Sequence, residues 1–184
     1  MSIPVSTERT TVKPNTKGEY NIYAGTGENV VLSNMTPRKF IYNGGEFNSV
    51  EQAFQEAKLQ FTKGTEKDIA THKKISEAKS AFEAKKYGRE YSTLDAKAWD
   101  ENSSKFMKMF IKSSFEQNPQ ALKELLATGD AKLTHNQDAG KWGTEFPKIL
   151  MEVRDEFKGK TTAEPAVDAR AKNNEEGNKP NPAC

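Results

Sequence analysis

Residues 48–61 read NSVEQAFQEAKLQF, and they set a carboxylate, an amide and an ammonium in line on one short segment. Ser49 followed by Gln52 is a capping-box start. Val50, Ala53, Phe54, Ala57 and Phe61 then recur at helical spacing and form a buried stripe. Glu51, Gln55 and Lys58, at i, i+4 and i+7, stack along a second face. By itself such a stripe is the solvated side of an amphipathic helix. It becomes a site only if the rest of the chain brings other reactive groups to it.

Other familiar chemistries are poorly supplied. His72 and His135 lie in unrelated segments without zinc-ligand spacing, so no metal site is expected. Gly25-Thr26-Gly27 reads as a plain turn, because neither a Walker A loop nor a dinucleotide fingerprint surrounds it. No G-x-S-x-G elbow offers a serine nucleophile. The one cysteine, Cys184, is the last residue, which excludes an internal disulfide or thiolate cluster and suits a reducing compartment. What remains is carboxylate chemistry in basic and aromatic company. That combination suits glycosidic bond cleavage, where one carboxylate stabilises or quenches an oxocarbenium-like centre.

The elements that must position these groups fall into two stretches. Residues 20–47 carry β-branched and aromatic residues around turns, and Asn43-Gly44 is a strong hairpin signal. After Ser49 the period turns helical. Helices are expected at 68–71, 75–87 (ending at a C′ Gly88), 102–116, 119–127 (opened by Pro119, closed by Gly129) and 147–157. Residues 130–143 read as loop or short strand. The expected architecture is α+β: one predominantly helical domain with a small antiparallel sheet near its N-terminus. The 184 residues are 34% hydrophobic and 29% charged, with net charge +2. That charge is too small to announce nucleic-acid binding. The polarity is concentrated at the ends. Residues 1–18 read as a flexible arm, 19–158 as the folded domain and 159–184 as a disordered tail that cannot bury enough apolar surface to order itself. With no apolar run of spanning length and no signal-peptide core, a cytoplasmic monomer is expected.

Seven short motifs then occur in order: L-S-N-M (32–35), S-V-E-Q-A-F-Q-x-x-K (49–58), G-R (88–89), W-D (99–100), F-x-Q-N-P (115–119), L-L-A-T-G-D-A-K-L (125–133) and D-x-x-x-W-G (138–143). Each is weak singly; the ordered set resembles the NADAR, or YbiA-like, family over essentially the whole expected domain. The resemblance implies a riboside N-glycosidase that needs no cofactor. Its substrate would be ADP-ribosylated guanine in DNA, with the reaction undoing a toxin's attack, or a phosphorylated ribosylaminopyrimidine of riboflavin synthesis. A non-catalytic module binding NAD or ADP-ribose is the alternative of a different class. The resemblance also implies that Glu51 and Asp138 are the acid–base pair. Asn34, Gln55, Lys58, Arg89, Trp99, Trp142 and Gly143 would then line the pocket.

The residues allow those roles and plainer ones beside them. Glu51 stands in a first helical turn, where the macrodipole favours the ionised form. Asp138 is either an Asx-turn residue or the second carboxylate. Trp99 and Trp142 are either core or a stacking surface for a base. Arg89 is either a surface residue or a pyrophosphate clamp. In one respect the chain departs from the family. A glycine- and asparagine-containing loop usually follows Trp-Gly, whereas here residues 142–143 run almost directly into the last helix, which implies a shortened, more open wall.

Overall fold

Ser49 has extended backbone and its hydroxyl accepts from the Gln52 amide at 3.1 Å, which opens helix α1 (Val50–Ala57). The Gln52 side chain answers by accepting from the Asn48 amide at 2.8 Å. The computed structural model describes residues 9–171, and in it α1 is the element around which the others gather. Helices α2 (Glu66–Ser76), α3 (Ala81–Tyr87) and α4 (Ala96–Glu116) all pack on it. Helix α5 (Pro119–Ala127) and the long α6 (Lys141–Ala171) close around α4. The main core joins α1, α4, α5 and α6 through fully buried Val50, Ile111, Phe115, Leu125, Leu150 and Val153. A smaller cluster of Ile75, Ala78, Ala84 and Tyr91 ties α2 to α3.

The hairpin forms where Asn43-Gly44 places it. Strand β2 (Phe40–Tyr42) pairs antiparallel with β3 (Gly45–Phe47), and both turn residues have positive φ, 48° and 79°. A second pair is parallel: β1 (Tyr20–Asn21) lies beside β4 (Leu133–Thr134). The antiparallel sheet expected near the N-terminus is therefore only part of the β structure. The partner of β1 comes from far along the chain, a pairing that local patterning does not specify.

Several boundaries differ from expectation for identifiable reasons. One helix over 75–87 is in fact two, because Ser80 accepts from the Glu83 amide and Glu83 accepts from the Lys79 amide, an N-cap that restarts the helix. The helix expected from 102 begins at Ala96, where Asp95 caps it. The last helix begins at Lys141, ahead of Pro147, and continues through Ala171, past the expected end of the folded domain at 158. Elongating a nucleated helix needs little beyond one hydrogen bond per residue. The rest of the expected tail, 172–184, and residues 1–8 of the expected arm lie outside the described residues.

The remainder of that arm is not loose. Buried Glu124 accepts from the Thr11 and Val12 amides at 2.7–3.1 Å, and Val12 packs against the main core. Lys13 adds an amide bond to the Asn29 side chain at 2.8 Å. Glu124→Ala should cost about 1–3 kcal/mol, because it strips partners from two backbone donors. Urea denaturation checks this, and an unchanged midpoint would return the arm to the loose state expected from sequence.

Candidate functional site

Asn34 is set by the loop ahead of the hairpin. Arg38, buried and stacked 4.3 Å from the Phe115 ring, donates to Ser114 Oγ at 2.6 Å and to the Val31 carbonyl at 2.7 Å. Burial lowers its pKa to about 10, so it stays charged at neutral pH and pins the loop to α4. The Asn34 carbonyl then accepts from the Glu51 amide at 3.0 Å, and its side-chain Nδ2 donates to Glu51 Oε2 at 2.7 Å. Asn34 thus holds Glu51 by backbone and by carboxylate. One helical turn on, Gln55 Nε2 donates to Glu51 Oε1 at 2.7 Å.

Glu51 and Gln55 are each only 4% exposed, so the polar stripe is an interior face and not a solvated one. It looks into a cleft of about 210 Å³. Its lining includes Asn34, Glu51, Gln55, Lys58 and, from α3, Lys85, together with His135, Asp138, Trp142 and Phe146 from the segment after β4. Burial pushes the Glu51 pKa up, opposed by the Gln55 hydrogen bond, the charges of Lys85 and Lys58, and the Asn34 bond. Desolvation therefore outweighs the first-turn position that favours ionisation, a correction to the sequence expectation. Lys58 opens the 3₁₀ turn Lys58–Phe61 and donates to the Gly88 carbonyl at 3.3 Å. Its pKa is lowered by burial, with Glu51 opposing and Arg89 and Lys85 adding to the fall. An anion arriving there would relieve that crowding of positive charge.

Asp138 makes the Asx turn of one sequence reading and stands where the other would need it. Its Oδ1 accepts from the Gly140 amide at 2.7 Å in an Asx turn, and the residue lines the cleft. The tryptophans divide the alternatives. Trp99 is 8% exposed and packs on Phe54 and Phe61 at ring distances of 4.8 and 5.5 Å, a core residue that reaches the cleft. Trp142 is less buried, edge-on to Phe54 at 5.3 Å, with the Lys141 ammonium 5.3 Å from its ring centre. It stands in the first turn of α6, so the shortened connection expected after Trp-Gly appears as a helical turn beside the cleft.

Two expected lining residues do not reach the cleft. Arg89 is exposed on the turn after α3 and bears on the site only through its charge on Lys58. Gly143 sits behind Asp138, where a Cβ would come within 2.0 Å of the Asp138 carbonyl oxygen. Gly88 also differs from expectation. Its φ of −60° is right-handed, so it is no left-handed helix stop. Glycine is needed because a Cβ would lie 1.8 Å from Gln55 Oε1. Gly88→Ala should therefore displace the Gln55 amide from Glu51 and lower turnover with little change in melting temperature. Steady-state kinetics beside a thermal melt would test it, and full activity would mean that Gln55 does not set the state of Glu51.

Sequence reasoning missed Lys85 and weighed His135 only as a metal ligand. The signal for His135 was its place three residues before Asp138, on one turn closed by the Asp138 amide on the His135 carbonyl at 3.4 Å. Among the described residues no group of three or more His, Cys, Asp or Glu side chains could hold a metal ion. Nor is any described helix long and apolar enough to cross a membrane.

Comparison with known proteins agrees with this fold. The family model described as "NADAR domain" matches residues 22–161. A riboflavin biosynthesis protein of Vibrio vulnificus (strain YJ016) is 28% identical over 135 residues, which are 68% of this chain and 35% of that protein. The chain therefore spans about a third of that relative's length. The N-glycosidase YbiA of Shigella flexneri is 26% identical over 146 residues, covering 74% of this chain and 87% of that enzyme. Among solved structures, that of the E. coli protein YbiA superimposes with TM-score 0.67 at 24% identity, over 82% of this chain and 90% of the other.

Proposed function

The chain belongs to the NADAR domain family, and on that footing we propose that it is an N-glycosidase hydrolysing a ribose C1–N bond, with ADP-ribosylated guanine in DNA as its substrate. The observation that carries this reading is Glu51: a carboxylate buried between two amide donors, in a cleft also lined by two tryptophans and two lysines. Breaking the C1–N bond develops positive charge on the sugar. A desolvated carboxylate interacts with such a charge far more strongly than one in water. Burial also raises its pKa, which makes it a stronger base toward the proton of the attacking water. In this reading Asp138 is the second carboxylate, Trp142 stacks on the base, and Lys58 with Lys85 faces phosphate.

The cleft is smaller than the roughly 300–1,000 Å³ of pockets that enclose a drug-sized ligand, so it takes the scissile end of a substrate whose remainder lies outside. Lys58 and Lys85 line the cleft and form no carboxylate salt bridge among the described residues, whereas Lys74, Lys108 and Lys141 do. Cations at the cleft suit a polyanion. Binding of single-stranded DNA should weaken steeply with salt; a flat salt response in a fluorescence titration would count against a DNA substrate.

A second reading, a phosphorylated ribosylaminopyrimidine as substrate, is favoured by the riboflavin biosynthesis role in the name of the Vibrio relative. Comparing kcat/KM on the modified oligonucleotide and on the ribosylaminopyrimidine phosphate decides between the two. Tight calorimetric binding of ADP-ribose without turnover of either would make the protein a binding module.

A further inference from the structure

We propose that His135 is a further catalytic residue, which gives a proton from Nε2 to the departing base. The proposal rests on the N-glycosidase reading. His135 follows β4, and its Nδ1 lies 2.7 Å from the Ile22 carbonyl at the end of the parallel pair. A carbonyl can only accept, so Nδ1 carries the hydrogen in every protonation state of the ring. Proton exchange is thereby confined to Nε2. The ring is fixed a second time by Phe146, edge-on at 5.6 Å, and it lines the cleft.

Its neighbours along the chain select the partner. The loop before the hairpin, α1, the turn after it and α3 bring the amides, carboxylate and lysines suited to a ribose and its phosphate, while His135 shares its segment with Trp142 and Phe146. A planar base stacked on Trp142 would lie beside residues of the histidine's own segment. The other titratable groups lining the cleft are Asp138 on the same turn and Glu51, Lys58 and Lys85.

The step balances without a co-reactant. The C1–N bond breaks, its electron pair leaves on the base nitrogen, and that nitrogen takes the Nε2 proton. Water adds its oxygen to C1 and gives a proton to Glu51, which returns it to the imidazole through solvent. The products are the free base and a ribose hydroxyl.

His135→Asn separates this role from a structural one. The Asn Nδ2 occupies about the place of Nδ1, so it keeps the bond to Ile22 and removes only Nε2. On whichever riboside the wild type hydrolyses, the modified oligonucleotide or the ribosylaminopyrimidine phosphate, kcat should fall about a hundredfold at an unchanged melting temperature. Wild-type turnover in His135→Asn would overturn the proposal. If the wild type hydrolyses neither riboside, the glycosidase reading fails and this proposal with it. An active wild type with an equally active variant sinks the histidine alone.

Discussion

Glu51→Gln is expected to lower turnover at least about a hundredfold, the scale of losing a positioned acid–base group, while the protein melts at the same temperature or higher. The fold has a ready accommodation for the new amide. Gln55 Oε1 is buried with no hydrogen-bond partner, so a flip of the Gln55 amide turns that orphan acceptor toward the incoming NH₂. Asn34 Nδ2 keeps its acceptor in the new side-chain oxygen. The sign of the stability change follows from burial. Because the folded-state pKa of Glu51 is raised, its contribution to stability is present below the unfolded carboxylate range and is lost as pH rises through the raised value. Replacing it removes that loss, so the variant's relative stability should improve toward neutral pH. In the wild type, activity should climb as Glu51 ionises, with an acid limb above the ordinary carboxylate range. Parallel melts and pH–rate profiles of both proteins test this; a variant with near-normal turnover takes Glu51 out of the mechanism.

Gly143→Ala should be the most damaging small substitution in the wall. The added Cβ would meet the Asp138 carbonyl oxygen at 2.0 Å and its carbon at 3.0 Å. Both are backbone atoms of a turn already closed by the Asp138 amide on His135 and by the Gly140 amide on Asp138. No flexible side chain can yield, so either the turn or the start of α6 must move. Overpacking of this kind costs about 1–3 kcal/mol. The functional loss should exceed the stability loss, because Asp138, His135 and Trp142 are all carried by the displaced segment. Thermal melts and kcat/KM should both fall, and a wild-type melt with wild-type kinetics would show that the wall tolerates the methyl group.

The parts of the molecule that were legible in sequence are those specified by neighbours along the chain. Ser49 with Gln52, Asn43-Gly44 and Pro119 each set a local backbone choice, and α1, the hairpin and α5 stand where those residues put them. The stripe of Glu51, Gln55 and Lys58 was legible as well, though its burial was not, because what covers it comes from α3, α4 and the segment after β4. Long-range pairing was hidden for the same reason: Tyr20 cannot announce that its partner is Leu133. The glycines were misread in an instructive way. Gly88 looks like helix punctuation and Gly143 was expected to line the pocket, yet each stands where two segments touch too closely for a Cβ. His135 was passed over because a histidine without cysteine partners is silent as a metal ligand, and nothing local reveals that its Nδ1 meets the Ile22 carbonyl.

The central claim is that this cleft cleaves a ribose C1–N bond. Its most direct test is incubation of the protein with a DNA oligonucleotide carrying ADP-ribosylated guanine, wild type beside Glu51→Gln, followed by mass spectrometry. Free ADP-ribose and unmodified guanine are expected from the wild type and almost none from the variant. Intact modified oligonucleotide after exposure to the wild type, together with no turnover of the ribosylaminopyrimidine phosphate, would contradict it.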